Sequence, residues 1–406
     1  MPLYLKLAWR NLWRNRRRTL ISIASVLFAV LFSLIMRSMQ HGSYDYMIQS
    51  SVGVYVGYIQ VHGEGYWKNR SLDESLEPTV EQLQRYASIA TVSEITPRLE
   101  TFALLSKDSL TKVAQVIGID PSREDAMTGL SKRLVKGRFL GENDRAFMIG
   151  EGLATRLGVS VGDSIVLYGQ GYHGVMAAER IPVAGILHFP IPALDNAMAY
   201  LSLRHAQWVF SAPGRITSIA FMLESPSALE DAASQIRSIA GSGVEVMDWK
   251  EMMPELVQAI EVDSAGGVLM LLILYVVIGF GIFGTVMMMT SERQREFGIL
   301  LSIGMSRRKL VTITTLETLM ISLQGALLGV AVGIPLLWYF HLHPIPLTGE
   351  AAEAMLVYGL EPILPFSIAP GIFLAQSAVV LGLAAVCALY PLQVIRKLQP
   401  VAALRT

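Results

Sequence analysis

The chain has 406 residues, of which 52% are hydrophobic and only 16% charged, and its formal net charge is zero. That excess of apolar residues is unusual for a soluble protein, and the absence of a basic surplus excludes an ordinary nucleic-acid binder. The single cysteine, Cys387, excludes an intrachain disulfide framework.

Residues 1–18 read as an amphipathic helix. Leu5, Trp9, Leu12 and Trp13 recur at helical spacing, and Lys6, Arg10, Arg14 and Arg17 form the neighbouring stripe. Such a helix lies along a membrane surface with its indoles at headgroup level. Residues 19–40 follow as the first of four runs long enough to cross a bilayer, which takes roughly 20 residues as a helix. The apolar part is long for a cleaved leader, and "MRSMQHGS" has no small-x-small pattern, so the run reads as a retained anchor.

Residues 41–263 read as an extracytoplasmic domain of mixed α/β character. "YVGYIQVHG" suits a strand, and "TVEQLQRYASI" a helix with Thr79 as N-cap. "SIAFMLE", "SPSALEDAASQIRSIAG" and "VEVMD" read as strand, helix and strand in one sheet, with Ser225 or Ser227 capping the helix and Gly241 ending it. The middle part differs: a short helix ending at Gly158, then two strands around a Gly-rich tip from Gly169 to Gly174. Two subdomains are therefore expected. "DWKEMMPELVQAIEVDS" reads as a helix running on into the second span.

Residues 264–290 form the second span and carry no charge; 311–340 form the third, with Glu317 as its one charge. Between them, residues 291–310 carry Arg293, Arg295, Arg307, Arg308 and Lys309. The loop 341–367 has no Lys or Arg but has Glu350, Glu353 and Glu361; the fourth span, 368–392, leads to a tail, 393–406, with Arg396, Lys397 and Arg405. Basic residues mark the cytoplasmic side, so both termini are expected there. The fold class expected is thus an α-helical membrane protein with four transmembrane helices plus an α/β extracytoplasmic domain.

No catalytic constellation stands out. The dipeptide Gly-Lys never occurs, so the chain has no P-loop and is expected to bind no cofactor by itself. His341 and His343 in "HLHP" lack further ligands nearby, and "GQGYHG" lies between strands, so no metal or phosphate site is expected. Within 291–310, Glu292, Arg295 and Glu296 alternate with Phe297, Ile299, Leu300 and Ile303, and Gly298 and Gly304 punctuate the run. That is the composition of a docking surface, which suggests an external motor. An ionisable residue inside a span, Glu317, is a functional candidate, here for interhelical hydrogen bonding or gating. Gly325, Gly329 and Gly333, every fourth residue, permit close helix packing.

"SERQREFGILLSIGMSRRKL" with "ETLMISLQGALLGVAVG", and the ending "YPLQVIRKLQPVAALR", resemble the permeases of FtsX/MacB-type ABC transporters. "IGEGLATRLGVSVGDSIVL" and "IPVAGIL" resemble the MacB-like periplasmic core domain of that family, and the resemblance covers essentially the whole chain. It implies that the 291–305 segment is a coupling helix seated in a partner ATPase, with Glu292, Arg295, Glu296, Phe297, Gly298, Leu300 and Gly304 as contacts. Many relatives carry a basic residue where Leu301 stands. The resemblance further implies two copies of a cytoplasmic ATPase that binds ATP and Mg, a second permease (self or paralogue), contact with membrane lipids, and an inner-membrane location. Lipoprotein-releasing permeases are the nearest in feel, with an apolar groove between the first two spans suited to acyl chains. In those permeases a longer hairpin hook recruits a periplasmic carrier; the tip here, Gly169 to Arg180, is short. Efflux with an adaptor, or regulation of cell-wall hydrolases, are the alternatives within the family.

Overall fold

The computed structural model describes residues 3–14, 16–357 and 361–399. Readings that fall on other positions, including Arg405 and the end of the Pro-rich tail, lie outside the described residues, as does the Leu5 side chain. The chain divides into two compact units: Met1–Tyr46, Ala259–Pro346 and Ile363–Thr406 form one, and Met47–Gln258 with Leu347–Pro362 the other. It opens with α1 (Leu3–Arg14) and α2 (Arg16–Ser51). On α2, Ile23, Val26, Val30 and Leu34 are buried, whereas Leu20, Ile21, Phe28 and Phe32 are exposed. That one-sided burial leaves an apolar outer face suited to lipid.

In the second unit the end of α2 leads into a π-helical turn, Val52–Val56, ended by Gly57 at φ +79°. A Cβ on Gly57 would meet the Phe221 carbonyl oxygen at 3.0 Å, so glycine is required twice over. The strand expected from Tyr55 starts only at Ile59, because Arg98 donates to the Tyr55 carbonyl at 2.6 Å within that turn. The elements then run β1 (Ile59–Gly63), α3 (Tyr66–Asn69), α4 (Val80–Ala87), β2 (Val92–Lys107), β3 (Leu110–Ile119), α5 (Pro121–Thr128), β4 (Leu134–Gly137), β5 (Phe147–Gly150) and α6 (Glu151–Leu157). They continue with β6 (Ser164–Gln170), β7 (Met176–Leu187), α7 (Pro192–Asp195), β8 (Met198–Ser202), α8 (Leu203–Val209), β9 (Ser218–Leu223), α9 (Leu229–Ala240), β10 (Val244–Asp248) and α10 (Trp249–Met252). Thr79 and Gln82 cap α4 reciprocally. Ser225 caps the 3-10 turn before α9, and Gly241 ends α9 at φ +81°.

The strand order is β10-β1-β9-β2-β3-β8-β5-β7-β4, with β6 pairing both β2 and β7. That double pairing closes β2, β3, β8, β5, β7 and β6 into a ring. Its interior holds Leu99, Leu105, Phe147, Ile165, Leu167 and Leu201. A second core sits where β1, β9 and β10 meet α4 and α9, built on Ile59, Phe221, Tyr86, Ile236 and Trp249. The two subdomains are these two cores, joined through β2, whose first half pairs β9 and whose second half pairs β6. At that junction Arg98 and Glu124 form a fully buried ion pair, Nε and Nη2 lying 2.8 and 2.7 Å from the two carboxylate oxygens.

The last part begins with α11 (Pro254–Glu292). The expected continuous helix is interrupted at Met253, as a residue before proline disfavours helix, and runs unbroken from Pro254. Then come α12 (Gln294–Ser302), α13 (Arg307–Leu342), the paired β11 (Ile345–Pro346) and β12 (Ile363–Leu364), α14 (Glu350–Val357) in the second unit, α15 (Pro370–Cys387) and α16 (Leu389–Lys397). The four helical stretches Arg16–Val56, Pro254–Glu292, Arg307–Leu342 and Pro370–Lys397 are long and apolar enough to cross a membrane. His341 bonds the Phe366 carbonyl at 2.7 Å and His343 stacks on Tyr339.

Candidate coupling surface

Arg293, at φ −100° and ψ 5°, breaks the helix between α11 and α12. At the other end Gly304 adopts φ +101°, a conformation that favours glycine, and Ser306 turns the chain into α13. α12 is thus a separate short helix between two spans. Phe297 is 1% exposed and packs with Leu310 and Ile395, flanked by Leu300, Leu301, Met305 and Leu398. Arg307 donates to the carbonyls of Arg396 and Leu398 at 2.7 and 2.9 Å, which ties the end of α16 to the start of α13.

This packing divides the expected contact set. Phe297 and Gly298 are buried on the inner side of α12. Leu300 is half-buried on the same side. Arg295, Ser302 and Gly304 are exposed, and so are Ile299 and Ile303, at 42% and 78%. The outward face is therefore Arg295, Ile299, Ser302 and Ile303, continued by the exposed Arg307, Arg308 and Lys309. Two bare isoleucines ringed by cations form a surface that is costly to leave in water and suited to an apolar groove with an acidic rim.

Behind that face lies a cluster that the sequence pattern did not bring together. Glu317 is 3% exposed. It pairs with Arg293 through Oε2, and its Oε1 accepts from the Asn11 amide at 2.7 Å. Arg293 Nε also reaches Glu296 at 3.3 Å, Arg14 donates to both Glu296 oxygens at 2.5 Å, and Arg18 pairs with Glu292. Glu292 and Glu296 are thus committed internally. Burial alone would raise the Glu296 carboxyl, but Arg14, then Arg293, hold it below its ordinary value. Burial likewise opposes the Arg293 charge, and Glu317 and Glu296 overcome it, holding that guanidinium above its ordinary value. The groups enclose a polar cavity of about 220 Å³ between α1, α2, α11, α12 and α13.

The sequence offered one hint of this cluster: Glu317, the one charge within its span. Pairing across hundreds of residues is not a periodic signal, so the partners, and Asn11 above all, were missed. The glycine stripe is placed within the chain. A Cβ on Gly325 would meet Val26 Cβ at 2.6 Å, on Gly329 the Leu27 carbonyl oxygen at 2.9 Å, and on Gly333 Leu34 Cδ1 at 3.0 Å. All three glycines therefore let α13 approach α2.

Residues 268–400 match the family described as FtsX-like permease C-terminal, and residues 19–239 match the MacB-like periplasmic core domain. The lipoprotein-releasing system transmembrane protein LolC of Neisseria meningitidis is 25% identical over 408 residues, 95% of this chain and 94% of that protein. The corresponding LolE of Haemophilus influenzae is 23% identical over 275 residues, 65% of this chain and 66% of that protein. Among solved structures, the periplasmic region of MacB from Actinobacillus actinomycetemcomitans is 15% identical, covers 52% of this chain and 94% of its own, and superposes with a TM-score of 0.36.

Proposed function

Because the chain belongs to the permease family that joins a MacB-like periplasmic core domain to an FtsX-like C-terminal part, we propose that it is the membrane subunit of a lipoprotein-releasing ABC transporter. Such permeases pair with another permease and work with a cytoplasmic ATPase. ATP and Mg belong to that ATPase, present in two copies, and this chain carries no chemistry of its own. The observation that carries the reading is the exposed Arg295–Ile299–Ile303 face of α12, set between two spans and backed by Phe297.

Closure of the ATPases pushes α12, and α12 moves α11 and α13 with it. The basic residues before α2, around α12 and in the tail support cytoplasmic termini in the inner membrane. A cleft between α2, α11 and α13, lined by Val26, Ile282, Val286 and Ile321, is closed to about 20 Å³. An acyl chain needs far more room, so cargo enters only when these spans separate. Two states of different cargo affinity, biased by nucleotide, satisfy that requirement.

The β6–β7 hairpin tip is clamped to its own domain. Tyr172 donates its N–H to the Phe210 carbonyl at 2.8 Å, the His173 N–H reaches Asp73 at 2.7 Å, and Arg215 stacks over Tyr172 at 4.2 Å. This supports a pairing in which the second permease, a paralogue, recruits the periplasmic carrier. The test is to purify the complex gently with a hydrolysis-dead ATPase and identify bound material by mass spectrometry. Acylated protein fragments are expected. An adaptor or a cell-wall hydrolase without acylated cargo would contradict the lipoprotein assignment.

A further inference from the structure

We propose that the amphipathic helix α1 is a positioning part of the coupling machinery, with Asn11 as its working contact. The inference rests on reading α12 as the ATPase seat. Three features fix α1 to the helices behind it. Leu12 is 2% exposed and inserts beside Ile23 and Ile321. The Thr19 hydroxyl donates to the Leu12 carbonyl at 2.7 Å and closes the turn into α2. The Asn11 amide donates to Glu317 on α13 at 2.7 Å.

From Glu317 the contacts continue through Arg293, at the head of α12, to Glu296 on α12 and back to Arg14 on α1. The circuit begins and ends on α1 and holds the first turn of α12 in between. A neutral donor suits the Asn11 position. It fills an acceptor site on a buried carboxylate whose charge Arg293 already balances, without adding charge of its own. The opposite face of α1 carries exposed Lys6, Trp9, Arg10 and Trp13 and makes none of these bonds. When the ATPase displaces α12, the displacement must either carry α1 along or break this circuit. α1 therefore sets where α12 rests and how far it travels.

The test uses the full complex with its cognate ATPase in lipid nanodiscs. Permease-stimulated ATP hydrolysis and ATPase co-purification are measured for Asn11→Asp, Asn11→Ala, Glu317→Gln and the double variant Asn11→Asp/Glu317→Gln. Asn11→Asp sets a second carboxylate against Glu317. It should lower the stimulated kcat about tenfold, the scale of one charge-assisted hydrogen bond, with KM for ATP and co-purification unchanged. The double variant removes that repulsion and leaves a single carboxylate, now on α1, so its stimulated rate should exceed that of Asn11→Asp and of Glu317→Gln alone. Wild-type stimulation in Asn11→Asp, or no recovery in the double variant, overturns the proposal. If Asn11→Asp does not assemble, Asn11→Ala decides: a fall in kcat at unchanged KM supports the role and an unchanged rate refutes it. Ile303→Asp in the same assay separates the two readings, because retained co-purification there defeats the docking surface itself, whatever Asn11 does.

Discussion

Glu317 sits in a span yet faces a guanidinium and an amide, and the two contacts make different demands. Glu317→Gln keeps the shape and a hydrogen bond to Asn11 but removes the charge that Arg293 needs. Assembly should survive, and ATP hydrolysis coupled to transport should fall, measured on reconstituted complex. Glu317→Ala leaves Arg293 largely buried beside a hole. Removing one partner of a buried pair costs about 3–5 kcal/mol, so its thermal midpoint should drop well below that of Glu317→Gln. The same reasoning applies to Arg98. Its replacement by alanine strands Glu124, which is 1% exposed, at a cost of about 3–5 kcal/mol in chemical unfolding of the outer unit. The Glu296–Arg14 pair responds to pH in the opposite sense to a histidine switch. Its folded carboxyl value lies below the unfolded one, so its stabilisation is complete above the ordinary carboxylate range and fades as pH falls through the folded value. With both side chains about half exposed the effect is small, and stimulated hydrolysis should lose nothing through this pair between roughly pH 6 and pH 8.

At the scale of elements, the glycines of α13 make the clearest prediction. A Cβ at Gly329 already crowds the α2 backbone, so Gly329→Ile should overpack the contact by about 1–3 kcal/mol, seen as a lower unfolding temperature. The four-residue spacing marked a packing face in the sequence but could not say against which helix, because nothing local encodes Val26, Leu27 and Leu34 as the facing residues. Features written into adjacent residues were legible: the N-cap at Thr79, the stop at Gly241, the turn at Gly158 and the glycine that ends the α12 segment. Features that depend on distant partners were not. The strand expected at Tyr55 is a helical turn gripped by Arg98. The ring closed by β6 could not be seen in the individual strand patterns, each of which was readable alone. The apolar residues of α12 looked like one face, and packing split them, with Phe297 turned inward and Ile299 and Ile303 outward. Helical spacing over nine residues could not make that division, because it depends on Leu310 and Ile395 covering one side.

For the whole molecule, composition settled the class and the distribution of Lys and Arg pointed to an orientation, since membrane spans and flanking charges are strong physical signals. Cargo leaves no such mark, and its assignment rests on kinship. The central claim is that α12 seats the ATPase through its isoleucine face. The most direct measurement places a photo-crosslinking residue, one position at a time, at Ile299, Ile303 and Phe297 in the assembled complex. Crosslinks to the ATPase from 299 and 303, with none from 297, are the predicted result. An ATPase crosslink from 297 alone, or none from 299 and 303, would contradict the account.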